Sequence, residues 1–153
     1  MATSVYECNE KADLAIAAMV GTVLTAVAVP AAVNWAIIAT AMGSGVVAIG
    51  KCYGIKLTSN EGWKLVKQFV LAAGTCFLGL NVGAKILTAL MQFTGFGYGA
   101  AVALDAATTG ALAWAIGAAG KEYFQREYLG KPRLSKDELG KIFREAFKDH
   151  KKK

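Results

Sequence analysis

The sequence predicts an all-α fold: a helical membrane protein of two helical hairpins, with four transmembrane helices and a C-terminal amphipathic helix. Three observations predict it. Charged residues supply only 18% of the chain and apolar ones 55%, against about 25% charged in an ordinary soluble domain. Long windows carry no Asp, Glu, Lys or Arg, from Leu14 to Gly50 and again between Lys67 and Lys85. The 17 glycines lie largely inside apolar stretches and only two prolines occur, a pairing that suits close-packed membrane helices better than a sheet.

As a single helix the window from Leu14 to Gly50 would extend about 55 Å, well beyond a hydrocarbon layer of roughly 30 Å. The stretch therefore folds back, and Pro30 is the natural turn, because proline removes a donor and disfavours helix at the residue before it. The first helix is read as Lys11 to Val29 and the second as Ala32 to Tyr53. The first is short and rich in alanine, the weakest spanning candidate of the set. Thr58-x-x-Glu61 has the form of a capping box and opens the third helix. Its apolar window spans if the flanking Lys67 and Lys85 snorkel. Beyond Lys85 an uncharged run reaches Leu104, broken by QFTGFGYG from Gln92 to Gly99. Gly95 and Gly97 make that motif a poor helix interior and a good turn. The fourth helix then runs from Tyr98 to Tyr128, its apolar part ending at Gly120. Ser135-x-x-Glu138, after Pro132, is a second capping box, and Leu139, Ile142, Phe143, Ala146 and Phe147 follow at helical spacing. That last helix suits a membrane interface or ordinary packing on the same domain. The division expected is a helical membrane domain over residues 1–130 and a basic, amphipathic cytoplasmic tail over residues 131–153.

The formal net charge is +6, so the placement of the charge decides between partners. Basic residues cluster at Lys51, Lys56, Lys64 and Lys67 and from Lys121 onward, while the turns at Pro30 and Gly95 have none. With four spans every flanking lysine falls on one side, which places the protein in a membrane, such as a cell inner membrane, with both termini cytoplasmic. A nucleic-acid binder would interleave its cations with exposed aromatics or set them along a reading helix, so no nucleic-acid partner is expected. Cys8, Cys52 and Cys76 are odd in number, widely spaced and without a CxxC pair, and the one histidine, His150, sits among tail lysines. Reduced, unbridged thiols and no metal site follow. The opening MATSVYECNEKAD is of mixed charge and does not read as a cleaved signal peptide.

Polar groups inside apolar helices are the candidate site. Asn34, Asn81, Lys85 and Asp105 are expensive in lipid and form a candidate intramembrane polar pair or pathway. Lys85 and Asp105 stand ten residues either side of Gly95, so a hairpin turning there would bring them to similar depth. Gly79 and Gly83 form a GxxxG pair, and Ala103, Ala107 and Ala111 belong to a ridge repeating every four residues; such ridges let helix backbones approach closely. No P-loop, dinucleotide fingerprint, zinc-protease motif, nucleophile elbow or paired-carboxylate site occurs. GSG at Gly43 to Gly45 lacks a following phosphate-binding lysine and reads as a packing or turn element. The chain is therefore expected to have no catalytic residue and no cofactor.

Several stretches together resemble a known family. They are the apolar helix ending at Pro30, IGKCYGIKLTSNEG from Ile49 to Gly62, the block from Phe93 to Tyr98, the apolar helix through Ala115, Ile116 and Gly117, then Glu122, Tyr123 and Phe124, and the helix from Leu139 to Phe147. In this order the chain resembles the YcjF-like family of helical membrane-associated domains, also catalogued as domain of unknown function 697. The family often lies C-terminal to Era-like GTPase domains. It commonly has an aspartate after the first proline and a proline before the glycine-rich turn, where this chain has Val33-Asn34 and Gln92-Phe93-Thr94. The resemblance implies a helical, membrane-associated fold and brings no catalytic residues. The leading expectation is a membrane scaffold or anchor that recruits a cytoplasmic protein partner, GTPase-associated through the resemblance, with membrane lipid as a further partner and homo-oligomers in view. One alternative is an oligomeric ion-conducting or membrane-permeabilising protein. The other is a soluble helical bundle that inserts on lipid contact.

Overall fold

A computed structural model describes residues 4–26, 31–74 and 106–152, with side chains described over 4–25, 40–69, 71–72 and 110–149. Among the described residues the structure is all helix: α1 (Val5–Ala26), α2 (Ala31–Cys52), α3 (Ser59–Gly74), α4 (Ala106–Tyr128) and α5 (Lys136–Lys152). The α1 helix packs on α2 and α4, while α5 packs on α3 and α4.

The two corners at one end of the bundle are built alike. α2 and α4 both stop at a glycine with positive φ, Gly54 at 77° and Gly130 at 69°, a conformation that glycine adopts without a Cβ penalty. The Ile55 N–H donates to the Gly50 carbonyl (2.9 Å), and the Lys131 N–H to the Arg126 carbonyl (2.8 Å). Both helix ends are thereby closed in the Schellman manner. Each corner then enters a capping box as its sequence predicts. The Thr58 N–H donates to Glu61 Oε1 (3.1 Å) and the Glu61 N–H to Thr58 Oγ1 (3.2 Å). Ser135 and Glu138 exchange the same two bonds at 3.3 and 3.2 Å. Leu134, just before the second cap, is buried with Leu139, as a hydrophobic staple requires.

Small residues set how closely the helices approach. The GSG element lies inside α2 as packing surface. A methyl group on Gly45 would meet Met19 of α1, with Met19 Cγ at 2.8 Å. On Gly117 of α4 it would fall 2.8 Å from two carbons of Ile16, and on Gly62 of α3 it would fall 2.8 Å from the Gly43 carbonyl oxygen. Asn9 meets Tyr53 and Met19 meets Gly45, so α1 and α2 run antiparallel. Ile49 of α2, Phe69 of α3 and Phe124 of α4 surround Gly120. Phe143 and Phe147 of α5 belong to the same buried core.

Two sequence expectations are corrected here. The first helix begins at Val5 instead of Lys11. Ser4 caps it, its Oγ accepting from the Glu7 N–H at 3.3 Å, and a charged first turn is compatible with a helix whose other face is buried. The larger correction concerns the four transmembrane helices. Among the described residues no helix is long and apolar enough to cross a membrane. Glu7, Glu10, Lys11 and Asp13 lie within α1 and leave only 14–26 uncharged, about 20 Å of helix against a hydrocarbon layer of roughly 30 Å. Glu61, Lys64 and Lys67 occupy the first half of α3, and α4 is charged from Lys121. The spanning hairpins, the membrane scaffold or anchor, the cell inner membrane and the membrane placement with cytoplasmic termini rested on those spans and fall with them; the GTPase link rested on the family resemblance alone. Ion conduction through such spans loses the same footing.

Candidate functional site

The predicted polar set is the first place to look. Pro30, Gly79, Asn81, Gly83, Lys85, Gly95, Gly97, Ala103 and Asp105 lie outside the described residues, as do the side chains of Asn34 and Ala107. Ala111 is fully buried in α4, and the ridge continues through the equally buried Ala115 and Ala119.

Two other features stand out, and the first is the polar end of the bundle. Tyr53, at the end of α2, is buried and its hydroxyl donates to Asn9 Oδ1 on α1 (2.5 Å). Its ring meets Tyr128 edge-on at 6.2 Å. Burial first, and then the neighbouring Cys8 and Asp13, push the Tyr53 pKa well above the ordinary phenol range, so the hydroxyl keeps its proton and remains a donor. Cys52 donates to the Ala48 carbonyl (3.3 Å). Burial, then Cys8, raises its pKa while Lys11 acts in the opposite sense; a thiol held protonated is a poor nucleophile. Cys8 and Cys52 are free. Lys121 Nζ reaches Asp13 at 2.7 Å and Arg126 reaches Glu138 at 3.2 Å, tying α4 to α1 and to α5. The polar groups of this end are thus engaged with one another.

The second feature is the outer face of α1. The inner stripe is Cys8, Ala12, Ile16, Met19 and Val23, all buried. Past Asp13 the exposed side of the helix is Leu14, Ala17, Ala18, Gly21, Thr22, Leu24 and Thr25, without a charge. Leu14 is 72% exposed. Thr22 Oγ1 donates to the Ala18 carbonyl (3.0 Å) and Thr25 Oγ1 to the Gly21 carbonyl (2.9 Å). Their hydroxyl protons are engaged inside the helix, so the face can lose water without leaving a donor unpaired. Sequence reasoning treated this segment as the weakest of four spanning candidates and did not separate its outer face. The i, i−4 spacing of Thr22 from Ala18 was a readable signal; which side faces outward was not.

Among the described residues no group of three or more His, Cys, Asp or Glu side chains stands close enough to hold a metal ion. A family model described as "Domain of unknown function (DUF697)" matches residues 7–152. No curated protein and no solved structure matches the chain.

Proposed function

The chain belongs to the DUF697 family, and from that premise we propose a non-enzymatic helical bundle that meets lipid through the outer face of α1 and inserts on that contact. The observation that carries this reading is the chemistry of the face: leucine, alanine, glycine and threonine, with both threonine hydroxyls donating to their own helix. Moving such a surface into an apolar phase gains about 25 cal/mol per Å² of buried apolar area and strands no polar donor. The absence of charge from Leu14 to Gly50 supports insertion beyond first contact, because the α1–α2 pair carries no ionised group between Asp13 and Lys51.

Flotation with lipid vesicles tests the proposal. The wild-type chain floats with the vesicles, whereas Leu14→Asp, at an exposed position, stays at the bottom with its helical circular dichroism unchanged. Leu129→Asp, also exposed but in the α4–α5 corner, floats as the wild type does. A wild-type chain that does not float, or a Leu14→Asp chain that does, ends the proposal.

A further inference from the structure

Building on the lipid-contact reading, we infer that the α1 face selects a loosely packed, uncharged bilayer surface and not an anionic one. Three observations on the molecule combine. First, the face offers little apolar area. Among the described residues of α1, Leu14 and Leu24 are the only large apolar side chains exposed past Asp13, while Ile16, Met19 and Val23 point inward, Met19 against Gly45 and both Ile16 and Met19 against Gly117. A small apolar surface cannot force tightly packed headgroups apart; it fills gaps that curvature or unsaturated chains have already opened.

Second, the charges bordering the face are of the wrong sign for an anionic membrane. Asp13 and Lys121 of α4 offset each other in their ion pair, which leaves Glu7 and Glu10 exposed on the preceding turns of α1 against Lys11. Basic juxtamembrane segments gain attraction from acidic lipid; an acidic border loses it. Third, the cationic excess of the chain sits elsewhere. Lys51, Lys56, Lys64 and Lys67 lie at the end of α2, its corner and α3, beside the start of α1 (Asn9 meets Tyr53) and away from Leu14 to Thr25. Lys131, Arg133, Lys136, Lys141, Arg144 and Lys148 lie on α5 and its leading corner, with Asp137, Glu138, Glu145 and Asp149 among them, and α5 packs on α3 and α4, whereas α1 packs on α2 and α4. The net charge of +6 is therefore poorly placed to assist contact by α1.

The test compares vesicles of a single zwitterionic lipid, dioleoyl-phosphatidylcholine, prepared small and highly curved or large and nearly flat. A second pair contains one third phosphatidylserine, and each is measured at low and high salt. Binding is expected on the order of tenfold tighter to the small vesicles, with no gain from phosphatidylserine and no loss in high salt. Thr22→Val, which exchanges an internally bonded hydroxyl for a methyl, should tighten binding about threefold. Binding that requires phosphatidylserine and collapses in salt overturns this inference while leaving lipid contact standing, and moves the contact to the basic side of the molecule. Equal binding to curved and flat vesicles overturns it as well. Binding to no vesicle removes the lipid-contact reading itself.

Discussion

α1 and α5 are both helices with one buried stripe, and they are held in opposite ways. α5 brings its own bulk: Leu139, Phe143 and Phe147 are buried on its inner side, and its outer side is heavily charged. α1 brings a slimmer stripe and is seated by what its neighbours lack, the side chains missing at Gly45 and Gly117. Its outer side past Asp13 carries no charge. The difference teaches that a helix can be amphipathic in two senses. In α5 polarity separates inside from outside, so the helix is fixed to the protein and to water. In α1 past Asp13 both faces are uncharged, and shape separates them.

The largest expected effect breaks the α5 side. Phe143 is fully buried, and Phe143→Ala should cost about 3–5 kcal/mol in urea unfolding, since both transfer energy and a cavity are lost. A change below 1 kcal/mol would mean that α5 is held by its charges and not its aromatic stripe. On the α1 side the complementary experiment adds a group. Gly45→Ala places a methyl against Met19 and should destabilise by about 1–3 kcal/mol, the range for overpacking, partly relieved because the methionine is flexible. Neutral or stabilising behaviour in thermal unfolding would show that the seat is not tight.

A smaller effect sharpens the comparison at the corner where α5 begins. Ser135→Ala removes the acceptor of the Glu138 N–H and should cost about 1 kcal/mol, as N-cap losses do; Thr58→Ala should cost a like amount at α3. If the two differ widely in calorimetry, the matched corners are not energetically alike. The smallest effect is on pH. Hydrogen bonds from Ser135 lower the Glu138 pKa first of all, with Arg126 adding to them, and Thr58 does the same for Glu61. A depressed folded pKa gives stability that is present above the ordinary glutamate range, about 4.3, and is lost as pH falls through the folded value. Glu138→Gln keeps the cap bond available and removes the titration. Its thermal midpoint should therefore fall less steeply than the wild type's on acidification; parallel curves would assign the acid sensitivity to other carboxylates.

Much of the local structure was legible without coordinates. Both capping boxes are four-residue patterns whose bonds close within one turn, and the stripe from Leu139 to Phe147 has a single period, so each could be read from its own neighbours. The start of α1 was not legible that way. Glu7, Glu10 and Lys11 precede the apolar window, and the helix runs through them because Cys8 and Ala12 on the other side are buried. The candidate face was harder still. Leu14, Ala18 and Thr22 are as free of charge as Ala12, Ile16 and Met19, so no charge marks outside from inside.

By itself the sequence determined an all-helical chain, the caps at Thr58 and Ser135, the inward face of α5 and the use of glycine for close packing. These depend on hydrogen bonds and periodicities that span a few residues. Tertiary structure alone decided that Asn9 meets Tyr53, that Asp13 meets Lys121, and that Leu14, Ala18 and Thr22 face outward. Those outcomes depend on which helix fills the notches at Gly45 and Gly117, and on an uncharged helix only the shape of its neighbours can choose the buried side.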